Sequence, residues 1–96
     1  MADIDVPALL RTGDALAREG DIPGANDCYV RAAEAFAERG FPLKAAAIYK
    51  QVLTLDPARI DIRAKLAAAY TALGLASDAA AELEKLASDI SSKKKG

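Results

Sequence analysis

The stretch GFPLKAAAIYKQVLTLDP, residues 40–57, decides the fold. It opens on Gly40 and closes on Asp56-Pro57, and between them Ala, Ile, Tyr, Val and Leu recur three and four residues apart, the spacing of a helix face. Pro42 suits a first helical turn, where its missing N–H had no partner in any case. Gly40 suits the left-handed conformation that ends the helix before it. Inside the stretch a trio of small residues, Ala45-Ala46-Ala47, stands directly ahead of a large ring, Tyr49.

Working outward, the same punctuation divides the chain into five helices. The first spans about 6–19, with Asp5 as its cap and Gly20 as its end. The second follows GDIPG, over about 23–39, and stops at Gly40; the third covers 42–55. The fourth spans about 59–73 and ends at Gly74; the fifth starts near Ser77, its N-cap, and fades before Lys93. Every connection is a few residues long, so successive helices fold back antiparallel. At about 15 residues, none is stable alone, and side-by-side packing must hold them.

Sliding the sequence against itself by 34 residues brings it into register. Ala33 falls on Ala67, Phe36 on Tyr70, Gly40 on Gly74, Ala45 on Ala79, Tyr49 on Leu83 and Val52 on Leu86. A fixed period of this length signals a stack of supersecondary units. The alternation has a packing reason. Ala33 and Ala45 are small because two helices approach closely across the Gly40 turn, while Phe36 and Tyr49 fill the wider gaps beside them.

On these residues the chain resembles the tetratricopeptide repeat family. Residues 26–59 carry the family's marks in order, as Tyr29, Ala33, Phe36, Gly40, Ala45, Tyr49, Val52 and Pro57; residues 60–93 carry Leu66, Ala67, Tyr70, Gly74, Ala79, Leu83 and Leu86. Arg63 departs from the pattern, standing with Ile62 beside it where a large aromatic is usual, and Val52 and Leu86 replace alanine. Gly13, Leu16, Gly20, Ala25, Tyr29 and Ala32 fit one further copy that overlaps the second helix. The turns GDIPGA, GFPLKA and GLASDA share one G-x4-A form. The resemblance implies an all-α, antiparallel helix-turn-helix array of right-handed solenoid type. Residues 1–96 then form one domain: repeat units 26–59 and 60–93, an N-terminal packing helix at about 6–19, and a disordered basic tail at 91–96.

The composition argues against most chemistry. The chain has no histidine, hence neither the commonest general base nor the commonest nitrogen ligand for a metal. Its one cysteine, Cys28, can form no internal disulfide and is expected to be a small buried residue in a protein of a reducing compartment. The serines and threonines have no base to activate them, and the glycines are dispersed one per turn rather than gathered into a phosphate loop. No enzyme, cofactor or metal site is expected. Thirteen basic against fourteen acidic residues leave a net charge of −1, with no global field to recruit nucleic acid or an anionic membrane. Arg59, Arg63 and Lys65 cluster, but Asp56 and Asp61 dilute them. No signal peptide or membrane span is apparent, which suggests a cytoplasmic protein, and the alanine- and arginine-rich style has a bacterial cast.

A protein-binding module remains. In the family, alternate helices line a concave groove, and the resemblance implies groove positions at Asp27, Val30, Glu34, Ala37 and Glu38 on the second helix. On the fourth they are Asp61, Ala64, Ala68, Thr71 and Ala72. Some members grip a C-terminal carboxylate there with Lys and Asn. Here Val30 and Ala64 replace the lysine and Glu34 and Ala68 the asparagine, so that clamp is missing. A groove of Val, Ala and Thr edged by Asp and Glu suits an apolar helix or an extended peptide with basic flanks. The alternative is self-assembly into a homo-oligomer through Ile62, Leu75 or the apolar flank of the fifth helix, all expected to be exposed.

Overall fold

The computed structural model describes residues 4–95, with side chains through Ser92. Among these the elements are five α-helices: α1 (Val6–Arg18), α2 (Ile22–Glu38), α3 (Pro42–Leu55), α4 (Ile60–Ala72) and α5 (Ala76–Lys95). Each packs against the next in sequence, α1 on α2, α2 on α3, α3 on α4 and α4 on α5, as short connections require.

The helix ends follow from the residues at the boundaries. Asp5 and Asp21 cap α1 and α2, their carboxylates accepting from the N–H groups of Ala8 and Gly24. The ends of α1, α2 and α4 are closed by one device. The N–H groups of Asp21, Phe41 and Leu75 donate to the carbonyls of Leu16, Phe36 and Tyr70, five residues back. Between them Gly20, Gly40 and Gly74 sit at φ of 86°, 85° and 77°, where a side chain would be strained. The shared G-x4-A form of the three turns is thus one backbone conformation used three times. The end of α3 is different: Asp56 turns the chain ahead of Pro57 and accepts from the N–H of Ala58.

The core runs through the stack and is built largely of the small positions. Ala25, Ala32, Ala33 and Ala45 are fully buried, and Tyr29, Tyr49, Val52 and Leu66 fill the space between them. Helices α1 and α2 approach closely at Gly13, where a Cβ would stand 2.7 Å from Cε1 of Tyr29. The Tyr29 ring is 1 % exposed, and its hydroxyl donates to Asp14 Oδ1. Burial, then that hydrogen bond and the charge of Asp14, push the Tyr29 hydroxyl up to about 12.

Several expectations are corrected. Ile62 is fully buried, not exposed. It lies on the face of α4 turned to the core, so the bulk missing at Arg63 is supplied next door. Cys28 is half-buried rather than part of the core. The fifth helix begins one residue before Ser77, which is therefore not its cap, and continues to Lys95 through residues expected to form a disordered tail. No Gly or Pro interrupts 76–95, lysine is a good helix former, and cations favour a helix C-terminus. Gly96, also assigned to that tail, lies outside the described residues. Leu83, matched to the buried Tyr49 by the 34-residue offset, is 51 % exposed, because no helix among the described residues covers that side of α5.

Candidate functional site

The ten groove positions fall on α2 and α4, which are neighbours although α3 lies between them in sequence. Lys65 on α4 reaches across to Glu34 on α2, Nζ to Oε1 at 2.5 Å. The hydrogen bond to Glu34 raises the Lys65 ammonium above its ordinary value. The pair lies within electrostatic reach of Tyr49, whose hydroxyl is raised first of all by burial. Both charged side chains remain more than 40 % exposed, so the pair ties the two helices at the surface rather than in the core.

On one side of this tie, toward the C-terminal ends of α2 and α4, lies an apolar cleft of about 350 Å³. It is lined by Ala37, Gly40, Pro42, Ala68, Ala69 and Ala72. Three of the sequence-derived positions, Ala37, Ala68 and Ala72, are brought together here. The cleft exists because every side chain along it is a methyl group, a glycine or a proline ring. Its lining reaches the α2–α3 turn through Gly40 and Pro42; Phe41 in that turn and Leu43 in the first turn of α3 are exposed. Phe41 meets the half-buried Phe36 edge to face at 6.3 Å, and Lys44 Nζ stands 5.0 and 5.3 Å from the two ring centroids.

On the other side of the tie the surface is polar. Asp61 is bound by Arg59, Nη2 to Oδ2 at 2.9 Å; that contact lowers the Asp61 carboxyl below its usual range and raises the Arg59 guanidinium. Asp27 lies within the field of Arg59. Val30 is half-buried and Ala64 is exposed. Glu38 and Thr71 lie instead on the cleft side of the tie, toward the C-terminal ends of α2 and α4, and both are exposed. Thr71 uses its hydroxyl to bond back to the carbonyl of Ala67, which leaves its methyl as the group it offers outward.

The basic cluster of the sequence is thereby spent inside the protein. Arg63, 11 % exposed, donates to Glu82 at 2.9 Å and to the Pro57 carbonyl, and approaches Asp89 at 3.4 Å. It staples α4 to α5 at the position where an aromatic was expected. Arg59, Arg63 and Lys65 each meet a carboxylate, so they form no free basic stripe. Among the described residues no group of three or more His, Cys, Asp or Glu converges as a metal site would require, and no helix is long and apolar enough to cross a membrane.

Sequence reading missed Lys65, Gly40, Pro42, Ala69 and Phe41. Only Phe41 carried a signal: it occupies the N-cap position of α3, where α1 and α2 have aspartate, and it makes no side-chain cap.

A family description reading Tetratricopeptide repeat matches residues 36–90, from the last turns of α2 to the last turns of α5. The chain belongs to the tetratricopeptide repeat family. No curated protein matches it. Tetratricopeptide repeats are protein-interaction modules, and that broad role is what membership carries to this chain.

Proposed function

We propose that this tetratricopeptide repeat protein is a non-enzymatic adaptor that holds a segment of another protein along the α2–α4 face. The observation that carries the reading is the apolar cleft at Ala37, Ala68 and Ala72, together with the exposed Phe41 and Leu43. An apolar side chain of the ligand seats in the cleft, and its neighbours cross the Lys65–Glu34 tie toward Asp27 and Asp61. The exposed carboxylates of Asp27 and Glu38 favour a ligand with basic residues beside its apolar anchor. In this reading 26–59 and 60–93 are the repeat units, α1 is a packing helix, and a reducing, cytoplasmic setting suits the unpaired Cys28.

A test is affinity capture from native lysate with the wild type, Ala68→Arg/Ala72→Arg, and the α3 surface control Gln51→Arg. A polypeptide retained by the wild type and the control but lost from the double variant supports the reading. Equal retention by all three refutes it.

Self-assembly is a second reading, and a separate observation favours it: the exposed Leu83 and Ile90 of α5.

A further inference from the structure

The outer face of α5 is patterned for one occupant. Ala76, Ala80, Leu83, Ala87 and Ile90 are all exposed, and they are spaced four, three, four and three residues apart. That is the a/d seam of a coiled coil, sustained over about 21 Å of helix at 1.5 Å per residue. It is separate from the face α5 turns to α4, which carries Ala79, Glu82, Leu86 and Asp89. The counterparts of Ala80, Leu83 and Ala87 one period earlier, Ala46, Tyr49 and Leu53, are buried on α3, against which α4 packs. On α5 no helix among the described residues covers the same side of the stack.

We infer that α5 pairs with α5 of a second copy, antiparallel about a two-fold axis near residue 85, which commits the self-assembly reading to one surface and one orientation. Two features of the sequence select this pairing. With Leu83 opposite Ala87 of the second copy, Ala80 falls opposite its Ile90, and symmetry repeats both layers. Each of these four layers then sets a large residue against a small one, the condition for two helices to approach closely. Parallel pairing would instead stack alanine on alanine and leucine on leucine, giving layers of unequal width. Charge points the same way. Asp78 lies in the first turn of α5 and Lys93, Lys94 and Lys95 in its last turn. Antiparallel helices bring these two ends together, and parallel ones bring lysines to lysines.

The test is sedimentation velocity on the full chain from micromolar to millimolar concentration, with helix content followed by circular dichroism. A monomer–dimer equilibrium is expected. Leu83→Asp and Ile90→Asp, at exposed positions that leave the fold intact, should each weaken it by about 100-fold or more, because each acts twice across the axis. Ala68→Arg on the α2–α4 face should leave it unchanged; dimerisation lost through Ala68→Arg would move self-association to that face and overturn the inference. Orientation is read by oxidative cross-linking in a Cys28→Ser background, mixing Ser77→Cys with Ser91→Cys chains. Cross-links should join 77 to 91 between copies. A monomer at all concentrations, a dimer indifferent to Leu83→Asp and Ile90→Asp, or cross-links of 77 to 77 and 91 to 91 would each overturn it. Loss of the dimer through Leu83→Asp or Ile90→Asp leaves capture of a partner by the α2–α4 face untouched, so the two readings fail separately.

Discussion

Replacing Gly13 by alanine sets two effects of known sign against each other. In an open helical site, alanine in place of glycine stabilises by about 1 kcal/mol, since the glycine backbone loses more freedom on folding. Gly13 is not an open site. Its added Cβ would lie 2.7, 3.0 and 3.2 Å from three ring atoms of Tyr29, and relief needs a ring displacement of about 1 Å. The ring is buried and its hydroxyl is held by Asp14, so it cannot move freely. Overpacking costs about 1–3 kcal/mol, and weakening a hydrogen bond to a charged acceptor about 1.5–3 kcal/mol when it is lost outright. The clash wins, and Gly13→Ala should destabilise by about 1–3 kcal/mol, lowering the melting temperature by on the order of 5–15 °C. Urea unfolding followed at 222 nm measures this directly. In a Tyr29→Ala background the ring is gone and the same substitution should stabilise by about 1 kcal/mol. Stabilisation by Gly13→Ala in the wild-type background would refute the close approach of α1 to α2.

Arg63→Ala should destabilise by about 2–3 kcal/mol, since it leaves the nearly buried Glu82 with only the more distant Lys85 at 3.7 Å, and Arg63→Met/Glu82→Met should recover most of the loss; chemical denaturation of both variants checks this. The raised Tyr29 hydroxyl favours the neutral ring in the fold. Its contribution, about 2–3 kcal/mol for about two pKa units, is full below pH 10 and lost as pH rises from 10 to 12, and stability against pH for Tyr29→Phe should lack that fall. Gly40→Ala should destabilise by about 1–2 kcal/mol from its φ of 85° alone, measured in the same unfolding assay.

The helices and their turns were legible because their causes are local. Gly20, Gly40 and Gly74 occupy positions only glycine adopts easily, and Asp5 stands where an N-cap is needed. The 34-residue offset carried Ala33, Ala45 and Tyr49 into the core for the same reason, since each repeats a neighbour's packing. It failed at Leu83, where matching sequence does not supply a matching next helix. Ile62 was misplaced because its partner Arg63 took the expected aromatic slot and carried the burial of its aliphatic stem into an ion-pair network. At the candidate site, the family resemblance set Ala37, Ala68 and Ala72 on one face, and all three line the cleft. The Lys65–Glu34 tie was not legible, because the two residues are 31 apart and meet only once α2 and α4 are stacked. Gly40 and Pro42 read as turn residues, and only the fold brings them to the cleft wall.

The adaptor role is tested most directly by a photo-cross-linking residue placed at Ala68, at Gln51 on the α3 surface, and at Ala80 on the outer face of α5, in cells that make the protein. Cross-links from position 68 to a discrete second polypeptide, absent from position 51 and competed by an apolar peptide with basic flanks, are expected. Equal labelling from 68 and 51, or cross-links only from position 80 to another copy of the chain, would contradict binding at the α2–α4 cleft.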